Sequence, residues 1–270
     1  PEGTFKPIDY TGYTWYRIQA ARRITSNISL TNKGDGEKIT QEANVNGPSQ
    51  YWNVTGSPSS LILGSYDGLQ VKPNANNDRF ITATTGEALQ VGYTGAKALQ
   101  LKNATNYWND ISGTPREVGY YNANDPGAYF TFTEVPAYPL TVTSGANVSN
   151  VVVTAPAAAS GYQVLKGVPV TITYQVAANY EPAVTANGSL FAKGVLSSDT
   201  YTLTISYEDL TEATVIDIAA AAATSLQEVT ADDNAPVRYY TLQGVEVTAP
   251  VKGNIYIVKK GLKVTKLIAK

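Results

Sequence analysis

The 270-residue chain contains no cysteine, no histidine and no methionine. Without cysteine it can build neither a disulfide framework nor a lipid-bearing thiol. Without histidine, a His-based triad, an imidazole proton shuttle and the common zinc sites are excluded together. Charge is scarce as well: 20 Lys and Arg stand against 22 Asp and Glu, a formal net charge of −2. That balance argues against a nucleic-acid partner, because neutralising phosphates takes a clustered excess of basic residues. No apolar run approaches the roughly 20 residues of a membrane-spanning helix. No secretory leader opens the chain, and Pro1 reads as a trimmed or mature end.

What is present is strand signal. Val168, Val170, Ile172, Tyr174 and Val176 alternate with polar residues and Pro169, and Tyr201, Leu203, Ile205 and Tyr207 alternate with Thr and Ser. Period-two alternation predicts half-buried strands with one face on a core. Helical periodicity is nowhere evident, and the Ala219–Ala223 run is too short to stand as a helix. The expected class is therefore all-β. Composition divides the chain into a Tyr-, Trp-, Asn- and Gly-rich part over 10–135 and a Val-, Thr- and Ala-rich part over 137–218. A linker over 219–235 and a tail over 236–270 follow. Proline at 136 and 139 marks the first boundary, since it interrupts strand pairing.

Ile28-Ser29-Leu30-Thr31-Asn32-Lys33-Gly34-Asp35-Gly36 leads to Asn46-Gly47-Pro48-Ser49-Gln50-Tyr51-Trp52. This Gln-x-Trp, preceded by Asp-Gly and Asn-Gly turns, resembles the repeat of ricin-type β-trefoil lectins, and Trp15 to Gln19 is similar to their opening strand. Three repeats of about 40 residues fit within 10–135. Leu69 to Lys72 and Leu99 to Lys102 echo one another, and Tyr129-Phe130 stands where Tyr51-Trp52 stands in the first repeat. The resemblance implies carbohydrate binding through an Asp, a stacking ring and an Asn in each repeat. Here the Asp position holds Ser29, with Gln70 and Gln100 at the later positions, and the ring position holds Glu42. Asn46 and Gln50 match. A carboxylate binds sugar hydroxyls more strongly than a neutral side chain does, so those departures weigh against the first-repeat site.

Trp52, Trp15 and Trp108 are expected in the core. Rings beside turn residues, where loops carry binding groups, make Tyr66, Asp67, Tyr121 and Asn122 further ligand candidates, together with Asp35 in its Asp-Gly turn. The Asn74–Asp78 and Asn122–Asp125 runs have oxygen ligands at a calcium-like spacing, but turn chemistry accounts for them. No metal and no cofactor are expected.

In the middle part, Lys166-Gly167, Tyr180-Glu181 and Tyr201-Thr202-Leu203 resemble small bacterial modules related to the internalin B-type repeat, with a turn at Tyr180-Glu181. Those modules act as spacers or adhesion elements. Tyr239-Tyr240-Thr241-Leu242-Gln243-Gly244, Gly253 to Val258 and the Lys-rich end resemble the C-terminal sorting-type domain of secreted Bacteroidetes proteins. This implies an extracytoplasmic location, secreted or on the outer-membrane surface of a Gram-negative bacterium. A hairpin centred on Lys260-Gly261 would set Ile257 opposite Val264 and Tyr256 opposite Thr265. Six lysines and no acid over 251–270 fit an anionic envelope surface or simply a solvated sheet edge.

No nucleophile elbow or Ser-x-x-Lys start is present, and no Asp/Glu pair is marked for hydrolysis. The expected function is non-catalytic binding, foremost of carbohydrate by the trefoil-like part. A structural or adhesion role with a surface-protein partner is the alternative, and a carboxylate-dependent glycoside hydrolase the distant one.

Overall fold

A computed structural model describes residues 7–94, 98–104, 106–223, 236–260 and 263–269. The first twelve strands are β1 (Thr11–Ala20), β2 (Ile28–Thr31), β3 (Thr40–Ala43), β4 (Trp52–Ser57), β5 (Ser60–Ser65) and β6 (Gln70–Pro73), then β7 (Phe80–Ala83), β8 (Gln90–Thr94), β9 (Leu99–Asn103), β10 (Asn106–Ile111), β11 (Arg116–Tyr121) and β12 (Phe130–Glu134).

Six of them close a ring. β1 pairs with β4 at Tyr16↔Trp52, and β4 pairs with β5 from Trp52↔Ser65 to Ser57↔Ser60. β5 meets the residue before β8 through Leu61 and Leu89, which exchange both backbone hydrogen bonds at 2.9 and 2.8 Å. β8 pairs with β9, β9 meets β12 at Leu99↔Phe130, and β12 returns to β1 from Ala20↔Phe130 to Tyr16↔Glu134. Closure removes the exposed edges that an open sheet would carry.

The other six form the hairpins β2–β3, β6–β7 and β10–β11. These meet one another through Lys38↔Ile81, Arg79↔Gly119 and Thr40↔Glu117. At the centre stand Ile39, Phe80 and Val118, each 0% exposed. Ile39 N–H donates to Phe80 O at 2.9 Å, and Val118 N–H donates to Ile39 O at 3.2 Å. Two residues on from each, the register sets Leu30, Val71 and Trp108 opposite, and all three are fully buried. A closed six-stranded ring capped by three equivalent hairpins is a β-trefoil. Its core is aromatic-rich, with Phe80 4.6 Å from Trp108 and 4.5 Å from Tyr120 between ring centres. Burying each such side chain contributes about 1.5–3 kcal/mol.

The same register corrects part of the repeat alignment. Ser29, Gln70 and Tyr107 are the equivalent positions, each one residue before the buried Leu30, Val71 or Trp108. Gln100 instead lies on β9 of the ring, buried, with its amide donating to Ala123 O at 2.7 Å. The echo between residues 69–72 and 99–102 thus joins a cap strand to a ring strand. Trp52 and Phe130 do occupy matching ring positions, facing Tyr16 and Leu99.

Nine further strands form a two-sheet sandwich: β13 (Ala137–Ser144), β14 (Val148–Thr154), β15 (Tyr162–Leu165), β16 (Val170–Val176), β17 (Tyr180–Ala186), β18 (Ser189–Leu190), β19 (Val195–Ser197), β20 (Thr200–Ile205) and β21 (Thr214–Ala222). One sheet runs β15-β13-β21-β17-β18, the other β14-β16-β20-β19. Val170, Ile172 and Tyr174 are buried with their sheet neighbours Leu203 and Ile205 and with Leu140 and Ile216 of the other sheet, as their alternation predicts. Two sequence expectations change here. Tyr180-Glu181 opens strand β17 and is no turn, and Ala219 to Ala222 finish β21 as its partly exposed end and do not open a linker. The remainder of the expected linker, 224–235, lies outside the described residues.

The sandwich packs on the trefoil. Leu165 and Val168 join Trp15, Tyr51 and Val135 in a buried apolar cluster. Tyr51 Oη donates to Lys166 O at 2.5 Å, and Gln163 Nε2 donates to Tyr13 O at 2.6 Å.

The chain divides into two units, residues 1–221 and 222–270. The second holds β22 (Val237–Tyr240), β23 (Glu246–Val247), β24 (Ile255–Lys260) and β25 (Lys263–Ile268), in the sheet order β23-β22-β24-β25. Its last hairpin sets Ile257 opposite Lys266 and Tyr256 opposite Leu267, two residues from the expected register. Lys260 pairs with Lys263, so the connection is Gly261-Leu262, which lies outside the described residues.

Candidate functional site

The first-repeat residues that match the lectin pattern serve the scaffold. Gln50 sits at the end of the 3-10 turn Pro48–Gln50 and is 1% exposed. Its amide oxygen accepts from Val45 N–H at 2.8 Å, and its NH2 donates to Thr31 Oγ1 at 3.0 Å and Ala43 O at 2.9 Å. This buried amide pins the loop, with its NH2 committed to Thr31 and Ala43. Asn46 Oδ1 accepts from Arg17 Nη2 at 3.0 Å, and the same guanidinium nitrogen donates to Val45 O at 2.8 Å. The Asn46 carbonyl lies close against Gly167 of the sandwich, while the residue itself stays exposed.

Ser29 and Glu42 face each other across the β2–β3 hairpin. Ser29 is fully buried and its hydroxyl donates to Asn44 Oδ1. Glu42 accepts from Lys33 Nζ and Thr40 Oγ1, each at 2.8 Å, and these bonds, Lys33 foremost, hold its carboxyl below the usual range. An ion pair thus occupies the place of a stacking ring.

A different opening lies beside this hairpin. The turn Ser65 to Gly68 joins β5 to β6, closed by Ser65 N–H to Leu69 O at 2.8 Å and Gly68 N–H to Ser65 O at 3.0 Å. Gly68 takes φ +85°, a conformation that glycine adopts without steric cost. Asp67 is exposed there. Both of its carboxylate oxygens accept from Asn32 Nδ2 at 2.9 Å, and the Ser65 hydroxyl also donates to it. Asn32 is fixed in turn: its Oδ1 accepts from Gly34 N–H at 3.0 Å and Thr82 Oγ1 at 2.7 Å, and its N–H donates to Ser49 O at 2.8 Å. Asn32, Lys33, Gly34, Pro48, Ser49 and Asp67 line an opening of about 330 Å³. It presents a carboxylate, an ammonium and an amide held in place before any ligand arrives, and it contains no aromatic ring.

The remaining candidates are dispersed. Asp35 is exposed one residue beyond Gly34, where its backbone bridges to Thr82. Tyr66 points to a neighbouring groove and packs on Trp15, their ring centres 5.3 Å apart. Tyr121 and Asn122 are exposed at the end of β11, where the Asn122 side chain accepts from Asn124 N–H at 3.0 Å, and neither lines the opening. Sequence reasoning missed Asn32, Lys33 and Ser49. Asn32 lies 35 residues from Asp67, and its only local signal was turn composition.

Asn74 Nδ2 donates to Asp78 Oδ1 at 2.8 Å, while Asn74 Oδ1 accepts from the backbone of Asp78 and Arg79. That run is a hydrogen-bonded turn. Among the described residues, no three His, Cys, Asp or Glu side chains gather as a metal set. No helix among them is long and apolar enough to cross a membrane, which says nothing of a strand-built span.

No protein-family model matches the sequence, and no curated protein matches it either. Solved structures do. A structure named BEL β-trefoil is 14% identical over 49% of this chain and 99% of its own, with a TM-score of 0.40. The ricin B-like lectin of Macrolepiota procera, in complex with lactose, is 12% identical over 47% of this chain and 98% of its own, at 0.39. The Rhizoctonia solani agglutinin is 18% identical over 48% and 99%, at 0.38. The trefoil assignment rests on the closed ring and its three caps.

Proposed function

We propose that the chain is a non-catalytic carbohydrate-binding protein, and that the Asn32–Asp67 opening is where the trefoil holds sugar hydroxyls. The observation that carries this reading is the exposed, pre-oriented Asp67 carboxylate in an opening of about 330 Å³. Sugar hydroxyls donate to a carboxylate in charge-assisted bonds roughly twice as strong as neutral ones. Lys33 and Asn32 supply donors for the oxygens that face the other way. The wording of the tail supports use outside the cytoplasm, at the outer surface of a Gram-negative cell.

The test is a glycan array probed with the full chain and with Asp67→Ala. Retention on a defined glycan class, reduced about tenfold or more by Asp67→Ala, is the expected result. A folded chain that retains no glycan sinks the reading. Turnover of a polysaccharide, abolished by one Asp or Glu change, would mark an enzyme instead.

One observation favours the second reading, adhesion through a protein partner. Leu190, Val195 and Leu196 are 88%, 74% and 52% exposed on the short edge strands β18 and β19. Apolar side chains on unpaired sheet edges are a template for pairing with another chain.

A further inference from the structure

Trp15, Asn53, Gly64 and Gln70 stand opposite one another on consecutive strands β1, β4, β5 and β6. Successive cross-strand partners share a face, so the four make one row across the outside of the ring. Gly64 leaves that row open at its middle, since a Cβ there would come within 2.5 Å of Asn53 Oδ1. Tyr66, on the adjoining turn, walls the row by packing on Trp15. The result is a groove of about 260 Å³ lined by Trp15, Asn53, Gly64, Tyr66 and Gln70, among others. It falls just below the roughly 300–1,000 Å³ of pockets for drug-sized ligands, which suits one small ring.

Its polar groups are set in advance. Gln70 Oε1 accepts from Gly86 N–H at 2.8 Å, leaving the amide NH2 without a protein partner among the described residues. Asn53 Nδ2 donates to Gly12 O at 3.1 Å. Trp15 is 7% exposed, and its indole N–H is buried with no acceptor among the described residues.

We propose that this groove is a second saccharide subsite, taking one pyranose ring beside Trp15 with its apolar face against Tyr66 and its hydroxyls toward the Gln70 amide. A half-buried aromatic ring beside fixed amides matches a ligand that has an apolar face and a hydroxyl rim. The proposal rests on the carbohydrate reading above but uses different residues from the Asn32–Asp67 opening, and the two fail separately.

The test is a titration of the full chain, 15N-labelled at its tryptophan indoles, with cellotetraose, xylotetraose, mannotetraose and chitotetraose. The Trp15 N–H signal is assigned by its loss in Trp15→Phe. The expected result is a saturable shift of that signal by one oligosaccharide. Tyr66→Ala weakens the affinity about tenfold, Tyr66→Phe retains it, and Asp67→Ala leaves it unchanged. Should Tyr66→Ala fail to fold, Gln70→Ala is expected to weaken the same shift. Binding that leaves the Trp15 signal unmoved and depends on Asp67 alone overturns the groove and keeps the proposed function. A Trp15 shift that depends on Tyr66, together with glycan retention on the array that ignores Asp67→Ala, keeps the groove and overturns the Asn32–Asp67 site. No binding by the folded chain overturns both.

Discussion

Gly167, in the β15–β16 turn, packs its backbone directly on the carbonyl of Asn46. The sandwich is therefore seated against the loop that carries Asn46 and Gln50, the two residues that match the lectin pattern, with Asn46 itself still exposed. What the sequence presents as a ligand loop is a seat between two β modules, secured by Tyr51 on Lys166 and by the Trp15–Leu165–Val168 cluster.

Gly167 has φ +79°, and a Cβ there would collide with the Asn46 carbonyl. Gly167→Ala combines backbone strain of about 1–3 kcal/mol with a steric clash against backbone. A fall in urea stability of at least that size is expected. An unchanged midpoint would mean that the sandwich is not seated on Asn46.

Gln50→Leu leaves the Val45 N–H, the Thr31 hydroxyl and the Ala43 carbonyl without their partner. Val45 and Ala43 are exposed and can turn to water, while the buried Thr31 hydroxyl keeps its bond to Ser29 O, so the cost is that of one or two lost hydrogen bonds, about 0.5–1.5 kcal/mol each. Denaturant unfolding should register the loss, while glycan retention by the folded fraction stays at the wild-type level. Loss of retention at unchanged stability would return Gln50 to the ligand site.

Asp110 has a fully buried side chain. Its Oδ2 accepts from Arg22 at 2.7 Å, Arg23 at 3.1 Å and Arg116 at 2.8 Å, and its Oδ1 from Arg116 and Gln41, each at 2.8 Å. Arg22 and Arg23 lie 88 and 87 residues away, so one carboxylate ties the segment just after β1, in the first repeat, to the third. Asp110→Asn strands three guanidiniums around a neutral group. Removing one partner of a buried ion pair costs about 3–5 kcal/mol. Equilibrium unfolding in urea measures it, and a cost below 1 kcal/mol would contradict the geometry.

The same carboxylate sets an acid limit. Burial alone would raise its pKa, but the bonds from Arg116, Arg22, Gln41 and Arg23 outweigh burial and lower it from 3.8 to about 2. The folded state therefore disfavours the proton more than the unfolded state does. The stabilisation is complete above pH 3.8 and is lost as pH falls through about 2; linkage puts it at about 2 kcal/mol. Urea midpoints measured between pH 5 and 2 should fall for the wild type and fall less steeply for Asp110→Asn.

Several elements were legible in the chain because their signal is local. The alternation from Val168 to Tyr174 specifies which side chains face a core whatever that core is built from, and the structure buries them. Trp52 was readable as core from its Gln-x-Trp setting, and its indole N–H donates to Leu30 O at 3.1 Å inside the fold. The candidate site was less legible. Of the residues singled out, Asp67 lines the opening and Tyr66 the groove, while Asn32 and Trp15 complete them from 35 and 51 positions earlier. A turn residue advertises its turn but not the strand it will face.

The amino-acid sequence by itself determined the all-β class, the inward faces of the middle strands and the exclusion of histidine and cysteine chemistry, because residue type and period-two spacing act over a few neighbours. Only the tertiary structure decided the closure of the ring through Leu61 and Leu89, the meeting of Ile39, Phe80 and Val118, the convergence of three arginines on Asp110 and the close approach of Gly167 to the Asn46 carbonyl. Each of these joins residues far apart in the chain, where pairing depends on the whole core closing at once and on no local preference.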